Sequence, residues 1–178
     1  MNKLLGINIG VGREYFESTE EIIWHNQDMQ DLDGKVDILH DATKLNEIIP
    51  PESYDIIVAS HILEHVEMSI AQDVLEQWMS LLKKDGKLYL SVPDARALAE
   101  AYAVNDIDNY TFAVNMTGPY HNGTHDHHRW CYDYETLKDR AKNFDIKRLY
   151  TENELTNEVK SGKLKLDWWI LGCVITHK

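Results

Sequence analysis

The sequence predicts an α/β domain built on a mainly parallel sheet, and three observations carry that expectation. Short apolar runs alternate with helically periodic segments from Leu4 to Thr176. The run Tyr54-Asp55-Ile56-Ile57-Val58-Ala59 reads as a central strand buried on both faces. The chain has 178 residues, 43% apolar and 27% charged, enough for one substantial core without staples. A single domain over residues 1–178 is therefore expected.

The elements follow in order. The first strand is Leu4–Ile9, stopped by Gly10-Val11-Gly12. The second is Glu21–His25, rich in β-branched and aromatic residues, and the third is the short Val36–Leu39. Tyr54–Ala59 is the fourth; the fifth, Lys87–Val92, follows a turn at Asp85-Gly86 and ends at Pro93, which cannot continue a central ladder. Between the last two, Ile70, Val74, Leu75, Trp78, Leu81 and Leu82 share one helical face. Ser69 and Gln72 fit a capping box at its start, and Lys83-Lys84 suit the negative end of its dipole. Asp94 caps a further helix through Ala103. Residues Asn105–Trp130 read as a long irregular segment, a length that usually signals function. A helix near Tyr134–Asn143, a strand Ile146–Tyr150, a polar hairpin connection Thr151–Gly162 and a strand Leu166–Thr176 complete the chain. That last strand would turn Trp168 and Trp169 to opposite sides.

Composition narrows the function classes. Eighteen Lys and Arg against 30 Asp and Glu give a net charge of −12. Such a chain repels phosphate backbones, so no nucleic-acid partner is expected. The two cysteines, Cys131 and Cys173, lack metal-site spacing. The longest apolar run, Trp168–Ile175, falls far short of a membrane span. The opening residues do not read as a signal peptide, so a cytoplasmic, reduced protein is expected.

The residues that carry chemistry sit at strand ends. Asn8-Ile9-Gly10-Val11-Gly12 lets the main chain turn sharply and a ligand approach without a Cβ in the way. The dinucleotide pattern would need a further glycine at Tyr15, which argues against a pyrophosphate ligand. Asp28, 18 residues beyond Gly10, is spaced to accept from both ribose hydroxyls of an adenosine. A carboxylate at Asp41, beside Ala42, can accept the exocyclic amine of adenine. The Ser60-His61 pair ends the fourth strand. Open α/β sheets bind ligands outside such carboxyl ends.

These residues resemble the class I S-adenosylmethionine-dependent methyltransferases, in particular the small bacterial and phage type. The resemblance runs from Leu5 to about Leu98. It rests most on Ser53-Tyr54-Asp55-Ile56-Ile57-Val58-Ala59-Ser60-His61-Ile62-Leu63-Glu64-His65-Val66 and on Leu81-Leu82-Lys83-Lys84-Asp85-Gly86-Lys87-Leu88-Tyr89-Leu90-Ser91-Val92-Pro93-Asp94. It implies a three-layer Rossmann-like fold with a seven-stranded sheet and an antiparallel last strand. It implies S-adenosylmethionine as cofactor, with Asn8, Gly10 and Gly12 under its methionine part, Asp28 on the ribose, Asp41 and Ala42 near adenine, and Ser60 and His61 beside the sulfonium. Two departures are visible. Glu14 stands where many members carry a third glycine, which implies that the first loop holds the cofactor loosely. No leading helix precedes the strand at residue 4, so Asn105–Trp130 is the candidate lid.

A methyl acceptor hydroxyl needs a base, and histidine is matched to neutral pH. Nine histidines are present, four of them in His121-Asn122-Gly123-Thr124-His125-Asp126-His127-His128. His128 is the leading base, with His125 and His61 as further catalytic candidates. This cluster also reads as a polar surface loop or as a metal site; no metal is included in the expected function. The stretch His61-Ile62-Leu63-Glu64-His65 matches a zinc-hydrolase pattern with two histidines at i and i+4. The expected function is methyl transfer to the oxygen or nitrogen of a small-molecule acceptor. The alternatives are a non-catalytic nucleotide-binding module of the same fold and a zinc hydrolase using His61, Glu64 and His65. A homodimer is left open.

Overall fold

The computed structural model describes residues 3–31, 33–119, 126–150, 154 and 166–178. Seven strands form one sheet in the order β3-β2-β1-β4-β5-β7-β6. They are β1 Leu4–Ile9, β2 Ile22–Asp28, β3 Ile38–Leu39, β4 Tyr54–Ser60, β5 Leu82–Pro93, β6 Asp145–Leu149 and β7 Ile170–Thr176. Neighbours from β3 to β5 pair in parallel. β7 runs antiparallel to both β5 and β6, between which it lies. The strand count and the antiparallel last strand are as the resemblance implied.

Alternation along the central strands sorts side chains to two faces. Ile57 and Ala59 of β4, with Leu88, Leu90 and Val92 of β5, enter the larger core. Ile56, Val58 and Tyr89 enter the smaller one on the other face, where Phe16 meets Trp24 edge-on at 4.8 Å between centroids. Helix α1, Ala71–Ser80, covers the larger core with Val74, Leu75, Trp78 and Met79. Each buried aliphatic side chain of this kind contributes roughly 1.5–3 kcal/mol. The Trp78 indole N–H is satisfied by the Ala42 carbonyl at 2.9 Å, which pins a 3-10 turn, Ala42–Glu47, to α1.

Several expectations are corrected. β2 continues past His25 through Asn26, Gln27 and Asp28, because β1 offers backbone partners as far as Ile9↔Gln27. α1 starts at Ala71 without a side-chain cap, so no Ser69–Gln72 capping box forms; Gln72 instead donates to Glu76. Lys83 and Lys84 fall in β5, where the register shifts between Tyr54 and Ile56, and Lys83 pairs with Asp55 at 2.7 Å. The expected irregular stretch Asn105–Trp130 carries α3, Asn109–Thr117, whose start is capped by Asp108 onto the Thr111 N–H. α2, Ala95–Ala103, begins at Asp94 as expected, with its carboxylate accepting from the Arg96 and Ala97 N–H groups. α4 is shorter than expected, Tyr134–Arg140. Trp168 and Trp169 precede β7 in a turn closed by the Ile170 N–H on the Asp167 carbonyl, so they do not alternate along a strand. The expected connection Thr151–Gly162 lies outside the described residues apart from Glu154.

Candidate active site

The connection from β1 to β2 contains no helix, and polar side chains of the two strands hold it. Gly10 N–H donates to Gln27 Oε1 at 3.2 Å, and Gly12 N–H to Asp28 Oδ2 at 2.8 Å. Asn8 Nδ2 donates to the Glu14 carbonyl at 2.9 Å. Asn26 pairs with both backbone groups of Phe16, at 2.9 and 3.0 Å. Asn8, Asn26 and Gln27 are buried, so each bond is shielded from competing water. The first loop is therefore tied down at five backbone atoms.

Backbone geometry shapes the surface of this loop. Gly10 has φ +68°, and a Cβ there would meet Ile62 at 2.8 Å. Gly12 has φ +52°, and a Cβ there would meet nothing within 4 Å. Bare main chain thus faces open space. That space is a cleft of about 450 Å³ lined by Asn8, Gly10, Gly12, Ser60, His61 and Trp169, among others. Five of the expected cofactor residues therefore come together at the carboxyl edge of β1 and β4. Asp28 joins through Gly12, and its other oxygen accepts from the Gln30 N–H at 2.9 Å. A carboxylate has about four acceptor positions, so capacity remains for hydroxyls.

Asp41 and Ala42 lie at the end of β3 and do not line this cleft. Asp41 caps the 3-10 turn through Oδ1, which accepts from both the Thr43 N–H and hydroxyl at 2.8 Å. Burial raises its pKa, but the Thr43 hydrogen bonds and the charges of Lys44 and His40 outweigh this and leave it below the usual range.

His61 occupies a backbone conformation rare outside glycine, φ +54°. Its N–H donates to the Ser91 carbonyl at 2.9 Å, while Ser60 and Ser91 share a hydroxyl contact at 2.9 Å. The ring lies 5.7 Å from the Trp169 ring, and Nδ1 is 3.2 Å from Glu64 Oε1. Glu64 is 1% exposed. It belongs to a 3-10 turn, Leu63–His65, rather than to a helix, so the i and i+4 spacing of His61 and His65 does not give the shared helical face of a zinc hydrolase.

His128 sits behind the cleft rather than on its wall. Its ring is edge-on to His65 at 5.0 Å, and its N–H donates to the Thr117 carbonyl. Burial pulls its pKa below the ordinary value, with Glu64 opposing. His125 lies outside the described residues. Cys131 and Tyr132 have their pKa values raised, by burial first and by the charge of Glu64 second.

Sequence reasoning missed Asn26, Gln27, Ser91 and Trp169. A polar Asn-Gln-Asp run directly after an apolar strand was the available signal for the first two.

An open, mostly parallel sheet with a glycine-lined cleft at its carboxyl edge defines a small-ligand-binding α/β protein. A methyltransferase-domain family model matches residues 8–150, and the chain belongs to that family of enzymes. Solved structures agree in fold. A SAM dependent methyltransferase from Archaeoglobus fulgidus is similar with TM-score 0.62 and 18% identity, over 97% of this chain and 86% of that one. The plantazolicin methyltransferase BamL, in complex with a triazolic desmethylPZN analog and SAH, has TM-score 0.62 and 12% identity, over 100% and 79%. The YcgJ protein from Bacillus subtilis has TM-score 0.57 and 9% identity, over 99% and 93%. A search of curated proteins returns no match. Among the described residues, no helix is long and apolar enough to cross a membrane.

Proposed function

We propose that this enzyme transfers a methyl group from S-adenosylmethionine to the oxygen or nitrogen of a small-molecule acceptor. The observation that carries this reading is the convergence of Gly10, Gly12, Ser60, His61 and Trp169 on one cleft outside the strand ends. The open space over Gly12 and the acceptor capacity of Asp28 fit an adenosine-containing ligand. When bound, S-adenosylmethionine supplies an electrophilic methyl on a positive sulfur.

The chain's own residues would do the rest. Asp28 would accept the ribose hydroxyls while holding the Gly12 N–H. Asp41 and Ala42, outside this cleft at the end of β3, would meet the adenine only where the ligand extends past the cleft. Asn8, Gly10 and Gly12 would shape the floor beneath the methionine part. His61 would take the acceptor's proton through Nε2, because Nδ1 faces Glu64. Trp169, whose ring lies beside that of His61, would exclude water and help align the acceptor, and alignment contributes several kcal/mol. The Arg129 and Trp130 N–H groups both donate to the Glu64 carbonyl, which supports the segment behind α3 as the cover of this region. The net charge of −12 favours a neutral or cationic acceptor over a polyanion.

Calorimetry with S-adenosylmethionine and S-adenosylhomocysteine tests the reading. Both are expected to bind one per chain, and Asp28→Ala is expected to weaken each by about 1–3 kcal/mol through lost charge-assisted hydrogen bonds. Absence of binding by the natural chain would refute the proposed cofactor, and unchanged affinity in Asp28→Ala would move the ribose contact elsewhere.

A further inference from the structure

We propose that Glu64, His65 and His128 form a site for one divalent transition-metal ion, with zinc as the ion that fits the donor set. This site adjoins the cleft through the Glu64–His61 contact, but metal binding there does not presuppose methyl transfer. One ligand atom from each of the three side chains can be chosen so that all lie within 4.8 Å of one another. A tetrahedral zinc ion with bonds of about 2.0–2.2 Å holds its ligand atoms roughly 3.3–3.6 Å apart, so modest side-chain rotations close the site.

The buried carboxylate is the second observation. Glu64 is 1% exposed, and neither carboxylate oxygen has a hydrogen-bond partner. His61 Nδ1 approaches Oε1 at 3.2 Å without hydrogen-bond alignment. A buried carboxylate left in that state is destabilising. A cation held between it and two imidazoles would relieve that destabilisation. Oε2 would remain available to the metal while Oε1 faces His61.

The histidines are arranged as metal ligands are. His65 Nδ1 lies 3.2 Å from the His127 carbonyl, which takes the ring proton and leaves Nε2 with its lone pair. The His128 ring packs edge-on against that of His65, 5.0 Å between centroids. Two imidazoles and one carboxylate leave a tetrahedral zinc ion its fourth position open. Imidazole donors disfavour magnesium and calcium, which take oxygen ligands. Such an ion would clip the turn after β4 to the segment that follows α3.

Cobalt provides the spectroscopic probe. The full chain, stripped with a chelator, is titrated with Co²⁺ and then with Zn²⁺. We expect one cobalt per chain, visible absorption of tetrahedral intensity, and its displacement by zinc. His65→Ala and His128→Ala should each weaken cobalt binding at least about tenfold. A double variant His121→Ala/His125→Ala should keep both the spectrum and the affinity. If circular dichroism finds an alanine variant unfolded, His65→Gln or His128→Gln takes its place. The proposal is overturned if the natural chain gives no stoichiometric cobalt spectrum, if binding survives unweakened in the His65 and His128 variants, or if it is lost in the double variant.

Discussion

His61 is held in a conformation that a side-chain-bearing residue adopts only when its surroundings enforce it. Strand pairing up to Ser60↔Ser91, and the His61 N–H on the Ser91 carbonyl, supply that enforcement. The result is an imidazole on the cleft wall with a buried carboxylate behind it. His61→Ala is therefore expected to lower turnover by about 10²–10⁴-fold. If the charge of Glu64, 3.2 Å from Nδ1, orients the His61 ring, Glu64→Gln should lower kcat while leaving KM for the acceptor and the affinity for the cofactor close to natural values. Transfer of labelled methyl to an acceptor found by screening measures both. Equal loss in KM and kcat would instead mark Glu64 as part of acceptor binding. His61 and Glu64 were both visible in the sequence, but only as members of a misleading metallopeptidase spacing. Which of the nine histidines face one another is fixed by tertiary contacts that no local pattern records.

Between strands and helices, one of the two expected caps holds. Asp94 accepts from N–H groups at the start of α2, no Ser69–Gln72 box forms, and Asp133 caps α4 without having been singled out in the sequence. Asp133 also meets Arg96 at 3.2 Å, joining the two helices. Its pKa is lowered, chiefly by the Thr136 N–H and then the Thr136 hydroxyl, with burial opposing and Arg96 assisting. A lowered native pKa stabilises the fold above the unfolded value of about 3.9, and that contribution is lost as pH falls through the lower native value. Asp133→Ala should thus cost about 1 kcal/mol at pH 7. The gap between the two proteins in urea unfolding should narrow below about pH 4. A gap that widened on acidification would contradict the assignment. Less legible was the reach of the strands. Apolar patterning ends at His25, yet β2 continues for three polar residues because its backbone still has a partner in β1. The Lys83-Lys84 pair was assigned to a helix end by charge, but β5 claims it through pairing of Leu82 with Tyr54.

For the whole molecule, the number of strands and the antiparallel last strand followed from resemblance in the two long blocks around β4 and β5, while the order of the strands did not. The cleft followed from chemistry at strand ends. What remained hidden was how a loop lacking the usual third glycine is kept in shape. If the cleft is the cofactor site, ligand binding to the native state must raise thermal stability. Cofactor at about 100 times its Kd adds about 2.7 kcal/mol, a rise in Tm of roughly 5–10 °C for a chain of this size. Differential scanning fluorimetry reads it; a flat response at saturation would place the ligand elsewhere.

The polar tail of β2 has an evolutionary corollary. Asn26, Gln27 and Asp28 splint the neighbouring loop, and the last of them is also the residue proposed to accept the ribose hydroxyls. Any lineage that traded away one of the three would suffer twice, in architecture and in ligand grip. Drift at this edge should therefore be concerted, with compensating exchanges on the loop side, rather than a succession of independent replacements.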